Sequence, residues 1–493
     1  MDPFLQSLDI VIKSEDLTKI EDMMMNNTVR FFDSPYIAEY YKRLKNYPIQ
    51  EPSNQVVLAW LAFLSGDFMA HYNLVMHVDF DKLNDVMKGL YLDLKALSKI
   101  FGTLDERIKL SLEALHYVSK DQGFYKAYAY SVHANLIFLK DQIRDSAAYF
   151  ERSFELFFKE KTYFQASVAL SNALFNYIYL AQFDHVIEKA EHTLMLTSSF
   201  QSMEKMYWEV ICMPLGAAHV MMNKPSLALD CLERAYRAID HMGLVHMHGN
   251  LEIYYMKAYI LLNDQVCLKV FVDKTIQLFE HTHMEVMQMV ITYGKIMSNH
   301  PTKQAEIERL ENIVLSEKKM RPLTLESILH HCLAEGCHID FFELMINYIE
   351  SYRYAGDLMS LQMSLLHLAE YYYLKNDVQK AKVILEEAIE MYHKKQLRAP
   401  FFLYPYQCES LIRKLGPTIY KRAPKLDDID ALTNRELDIL DLINQGKSNG
   451  EISNILFISE GTVKWHINHI LAKLGVKNRV EALNKAKSLK LIK

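Results

Sequence analysis

Along most of this chain, apolar residues recur three or four positions apart, the spacing that places them on one face of a helix. Short polar turns interrupt the pattern, and each opens a helix of small and aliphatic residues. Lys224-Pro225-Ser226-Leu227-Ala228 begins one such helix, with Ala235 seven residues after Ala228; Asn376-Asp377-Val378-Gln379-Lys380-Ala381 begins another, with Ala388 seven on. Seven residues make two helical turns, so each pair shares a face. Aligned copies of the element fall at 107, 146, 186, 228, 268, 304, 343 and 381, in steps of 39, 40, 42, 40, 36, 39 and 38. Each copy follows a helix that ends in a large apolar cluster, such as Ala134-Asn135-Leu136-Ile137-Phe138-Leu139, Phe175 to Leu180 or Leu368 to Leu374. A helix pair of this size cannot bury both faces alone, but a stack of them can. The expected fold class is all-α, with an α-solenoid over residues 86–399. Only 15 Gly and 12 Pro in 493 residues are too few for the turns of a sandwich, barrel or propeller.

The repeated element resembles tetratricopeptide-like helix pairs over about residues 90 to 395. Ser146, Val186, Leu268, Gln304 and Glu343 depart from the small residue usual at the aligned position, and the steps exceed the usual ~34 residues. Residues 1–85 read as a helical N-terminal region with room for one further repeat around Ala70. Four prolines at 400, 405, 417 and 424 predict a linker over 400–428, with a short helix from Ser410 to Leu415.

Residues 429–493 carry dense helix punctuation. Thr433-Asn434-Arg435-Glu436 and Ser448-Asn449-Gly450-Glu451 are capping boxes, and Asn478 to Glu481 opens a last helix in the same way. The first helix buries Leu437, Leu440 and Ile443 and stops at Gly446; the second, a tight corner later, buries Ile452, Ile455 and Leu456. A third starts at Ser459 and ends at Gly475. In it Val463, Ile467, Ile470, Leu471 and Leu474 face inward, while Lys464, Trp465, Asn468 and Ala472 face out. Val480, Leu483, Ala486 and Leu489 of the fourth are available for packing or dimerisation.

The runs Leu432-Thr433-Asn434-Arg435-Glu436-Leu437, Gly446 to Ile452, Ile458 to Ile467 and Lys473 to Arg479 resemble the LuxR-type helix-turn-helix over about 60 residues. The resemblance implies a four-helix domain whose third helix enters the DNA major groove. Lys464, Trp465 and Asn468 would contact base edges or nearby phosphates, and Thr462, Lys473, Lys477 and Arg479 would hold the backbone. Elementary chemistry agrees: Lys donates to guanine acceptors or phosphate, and Asn can bond adenine bidentately. Trp465 stands where the family usually has a smaller side chain; it fits a thymine methyl or sugar, or alternatively a docking contact on the repeat array.

Charge supports the division. The tail from Ala431 carries 10 Lys/Arg against 6 Asp/Glu, which leaves −10 on residues 1–430 of a chain whose net charge is −6. An acidic body repels DNA, whereas a basic tail gains affinity by neutralising phosphates. Six scattered cysteines form no disulfide framework. His330-His331-Cys332-Leu333-Ala334-Glu335-Gly336-Cys337-His338 gathers metal-capable side chains, but no second ligand pair follows at zinc-finger spacing. This cluster, the group His241, His246 and His248, and the pair His281 and His283 are read as helix and loop histidines, with no metal expected. No phosphate-binding G-x-x-x-x-G-K-[ST], H-E-x-x-H or G-x-S-x-G run occurs, so neither enzymatic activity nor a cofactor is expected. No apolar run reaches the ~18 residues a membrane span needs, and Met1-Asp2-Pro3-Phe4 lacks the marks of an export signal. A cytoplasmic protein without membrane contact is expected.

A helical array, a linker and a LuxR-type domain together resemble the sensor and DNA-binding parts of MalT-type transcriptional activators, without their ATP-binding module. The reading is a sequence-specific transcriptional regulator that binds double-stranded DNA as a homodimer. Its array would sense a small-molecule, peptide or protein effector, and RNA polymerase would be a partner if the protein activates. The alternative is an interaction scaffold in which the array binds a partner protein and DNA binding is secondary.

Overall fold

The structure is a computed structural model that describes residues 3–119, 123–200, 202–244, 247–280, 285–302, 304–316, 341–420 and 434–456, together with 463–492 except 465, 468–469, 472–473, 475 and 489–490. Every regular element among the described residues is helical. The protein is all-α, as the patterning requires.

The aligned repeat positions explain how consecutive helices approach. Arg107, Ser146, Val186, Ala228, Leu268 and Ala381 are all buried, and so are the residues seven further on (Ala114, Ser153, Thr193, Ala235, Thr275 and Ala388), whereas the aligned Gln304 is exposed and does not follow the register. Each pair forms the inner stripe of a helix that packs on its predecessor. Helix Cys212–Met221 approaches helix Pro225–Met242 closely. A Cβ on Gly216 would lie 2.8 Å from the Leu232 side chain and 3.1 Å from the Ala228 carbonyl. The tight turns before five of these helices place one residue in the left-handed region, Asp141, Ala181, Asn223, Asn263 and Asn376, as does Asn299 before helix Gln304–Ser316. Asp and Asn tolerate that conformation best among residues with a side chain, which accounts for the polar turns of the repeat.

Two large cores result. The first joins residues 4–208 around Trp60, whose indole nitrogen donates to the Leu90 carbonyl at 2.9 Å and whose ring meets Phe32 and Tyr128 edge-on. Packing therefore runs without a break through residue 85, where the sequence reading places a boundary. The second core runs from Phe164 to Ile419. The His330–His338 cluster lies outside the described residues.

The proline-bearing stretch departs from the expected linker. Leu397, Ala399, Phe401, Leu403, Tyr404, Tyr406, Cys408, Ile412 and Ile419 are buried in the second core. Arg398 donates its backbone N–H to the Met221 carbonyl at 2.9 Å, and Gln407 donates its own to Glu370 Oε1 at 2.7 Å. The rings of Tyr404 and Tyr406 flank His367 at 5.1 and 5.6 Å. The prolines shape an irregular path, but the aromatics between them decide its burial. The short helix is present as Glu409–Leu415.

Candidate nucleic-acid interface

The C-terminal module is built from short helices with their own core. Helix Asn434–Asn444 supplies Ile439, Leu440 and Ile443, and helix Asn449–Leu456 supplies Ile452. The following helical residues supply Val463, Ile470 and Leu474, and helix Arg479–Ser488 supplies Ala482 and Ala486. Local chemistry fixes the corners. Gly446 ends the first helix at φ +79°, open to a residue without a side chain. Ser448 then closes a capping box: Glu451 N–H donates to the Ser448 hydroxyl at 3.3 Å, and Glu451 Oε2 accepts from Ser448 N–H at 2.8 Å. The Ser448 N–H, and then its hydroxyl at 2.9 Å, donate to the Glu451 carboxylate and hold it below its usual pKa. Glu481 N–H donates to Asn478 Oδ1 at 2.9 Å, while the carboxylate accepts from Asn478 Nδ2 at 2.7 Å and Lys477 N–H at 2.9 Å. The Thr433 box lies outside the described residues.

On the third helix, Val463, Ile470 and Leu474 are buried and Ile467 and Leu471 partly so, which leaves Lys464 exposed on the opposite side. Lys477 is also exposed. Arg479 is half-buried, and its Nη2 donates to the Lys447 carbonyl at 2.9 Å, tying the fourth helix to the corner between the first two. Thr462, Trp465, Asn468 and Lys473 lie outside the described residues. Ile455, expected to be buried, is 45% exposed, and Val480, read as available for packing or dimerisation, is 63% exposed.

His466 carries no assignment in the sequence reading, yet it is among the best buried polar residues of the module. Its Nε2 lies 3.5 Å from Glu233 Oε2 on helix Pro225–Met242, and its side chain is 3% exposed. No local signal marks it, because its neighbour is more than 200 positions away in the chain. Of the other histidines considered as ligands, His248 is buried and bonded through Nδ1 to Glu252 at 2.8 Å. His246, His281 and His283 lie outside the described residues. Among the described residues, no three metal-ligating side chains converge.

Two helices joined by a capped corner, with a third that buries its apolar side and exposes Lys464, define a helix-turn-helix module. Residues 430–486 match the family described as "Bacterial regulatory proteins, luxR family", and this C-terminal segment is a LuxR-type helix-turn-helix domain. Similar proteins include the uncharacterized transcriptional regulatory protein YhcZ of Bacillus subtilis, 51% identical over 59 residues, 12% of this chain and 28% of that protein. The nitrate/nitrite response regulator NarP of Escherichia coli is 52% identical over 56 residues, 11% and 26% of the two chains. NarL of the same species is 51% identical over 61 residues, 12% and 28%. The chain thus spans about a quarter of the length of these relatives. No helix among the described residues is long and apolar enough to cross a membrane.

Proposed function

We propose that this protein is a sequence-specific DNA-binding transcriptional regulator whose helical array, stacked as a solenoid of tetratricopeptide-like pairs, controls presentation of the C-terminal reader. The observation that carries the reading is the third helix of the module: its apolar side is buried against the other three, and Lys464 stands on the face left over. In this reading Lys464, Trp465 and Asn468 address base edges. Thr462, Lys473 and Lys477 hold phosphates, and Arg479 does so with the part of its guanidinium not engaged by Lys447.

The contact between His466 and Glu233 supports the control step. A residue two positions from Lys464 is closed off against the acidic body, so the reader can be held there or released. An effector acts by binding one of these two states more tightly. One small module makes few base contacts, and two copies on two half-sites supply the missing affinity.

Genome-wide footprinting of the wild type beside a Lys464→Ala, Asn468→Ala variant tests the reading. Discrete protected sites that the variant loses are expected. Identical footprints would remove the contact assignment, and the absence of any discrete site would leave the scaffold reading.

A further inference from the structure

Helices Ile37–Leu44, Pro52–Leu64 and Phe68–His77, with the segment 45–51 that joins the first two, line a cavity of about 350 Å³ in the N-terminal region. Small-molecule sites usually measure about 300–1,000 Å³ and combine apolar walls with a few polar groups. This cavity has that make-up. Ile49, Leu58 and Leu74 supply aliphatic wall, and the rings of Tyr41 and Tyr47 border it. Two aromatic walls favour a flat guest.

The charge of the lining is one-sided. Lys45 lines the cavity and no carboxylate does. Asp67 is near enough to feel the Lys45 charge, but its carboxylate is taken up by the Tyr41 hydroxyl, which donates to it at 2.7 Å, and by the Ala70 N–H at 3.1 Å. Lys45 makes no ion pair among the described residues. The neighbouring polar side chains are engaged locally: Gln55 Nε2 donates to the Ile49 carbonyl at 3.1 Å, and His77 Nδ1 bonds the Asn73 carbonyl at 2.6 Å.

One ammonium beside aliphatic and aromatic walls matches a guest with one negative charge on a flat apolar body. A phosphate group asks for several N–H donors or a second cation, and a cationic guest is repelled. The acidity of residues 1–430 is spread over the surface and screened beyond ~8 Å at physiological salt, so the nearest charge sets the sign of the guest.

We propose that this cavity binds a small aromatic monocarboxylate, with the carboxylate on Lys45 and the ring against Tyr41, Tyr47 and Leu74. The site goes beyond the regulator reading. It lies outside the DNA-binding module, and its occupancy is measured without DNA, so its failure leaves that reading untouched.

Isothermal titration calorimetry of the full chain with 2-naphthylacetate, and with its uncharged analogue 2-naphthylacetamide, is the test. The acid is expected to bind with a Kd of about 1 mM or below, and the amide at least ~10-fold more weakly. Lys45→Met is expected to bring the acid down to the affinity of the amide. Leu74→Trp, which fills the cavity, is expected to abolish binding of the acid with the helical circular dichroism unchanged; should that variant not fold, Ala70→Leu replaces it with the same expectation. Absence of binding by the acid at about 5 mM, or equal affinities for acid and amide, overturns the proposal. So does a folded Lys45→Met or cavity-filled variant that binds the acid as the wild type does.

Discussion

Asp33 sets up a pH dependence that can be worked from its surroundings. Helix Tyr163–Tyr179 begins after Thr162, whose hydroxyl does not cap it but donates to the Phe157 carbonyl at 3.1 Å. The cap comes from 132 residues away: Asp33 Oδ1 accepts the Gln165 N–H at 3.0 Å, and Gln165 Nε2 donates to the Phe32 carbonyl at 2.6 Å. Burial pushes the Asp33 carboxyl from 3.8 up to about 6, and the amide hydrogen bonds from Gln165 and Phe164 only partly oppose it. The folded state therefore favours the protonated acid. Its contribution is fully present below pH ~4 and is lost as pH rises through about 6. The full shift corresponds to about 3 kcal/mol at neutral pH, less where water reaches the second carboxylate oxygen. Asp33→Asn keeps an oxygen to accept the Gln165 N–H and removes the titration. The variant is expected to be more stable than the wild type at pH 7.5, with the difference shrinking by about 2 kcal/mol towards pH 4. Paired urea or thermal unfolding at several pH values measures that difference, and groups common to both proteins cancel. A difference independent of pH would refute the argument, because the carboxyl would then titrate alike in the folded and unfolded chains.

Two further perturbations test other parts of the architecture. Gly216→Ala forces Leu232 and the Ala228 backbone apart and is expected to cost about 1–3 kcal/mol, read as a lower urea midpoint with unchanged slope. An unchanged midpoint would mean the two helices have room to part. Glu233→Gln weakens the hold on His466 and is expected to raise the affinity of the full chain several-fold, the equivalent of about 1 kcal/mol. Fluorescence anisotropy on a footprinted duplex reads this out, and equal affinities would dissociate the contact from control.

The sequence disclosed the elements whose information is local. Capping boxes at Ser448 and Asn478, the stop at Gly446 and the apolar stripe from Val463 to Leu474 depend on residues within a few positions of one another, and the structure forms them. Buried pairs seven residues apart, at 146/153, 228/235 and 381/388, were legible for the same reason, because they need only helical geometry; the aligned position at Gln304, which is exposed, was not. What stayed hidden depends on contacts across the chain. Prolines at 400, 405 and 417 signalled an irregular backbone correctly but could not say whether it faced water or the helices around Met221 and Glu370. His466 and Asp33 look ordinary in sequence because the groups that give them meaning, Glu233 and the Gln165 amide, are remote. Arg479 was placed among the phosphate contacts, and its hydrogen bond to Lys447 adds a structural duty that charge alone does not reveal.

The buried course of residues 397–420 changes how a signal can travel. The body does not release the chain at Pro400. Tyr420 is anchored by its hydroxyl, which donates to the Phe401 carbonyl at 3.2 Å, and by the Arg413 guanidinium 4.4 Å from its ring centre. From that anchor, 13 residues lead to the helix that begins at Asn434, a reach of at most about 45 Å however they are arranged. Half-sites on one face of DNA lie about 34 Å apart. If two copies bind two half-sites, as proposed, each reader moves between Glu233 and a groove only on a short tether, and the pair of bodies must already be positioned for both to dock at once. Under the proposed function, control has two mechanical routes: an effector would shift helix Pro225–Met242 and loosen the hold on His466, or would unseat the 397–420 segment and lengthen the tether. The first changes affinity at fixed spacing, whereas the second also relaxes the spacing between half-sites, so binding to duplexes with varied half-site separation distinguishes them.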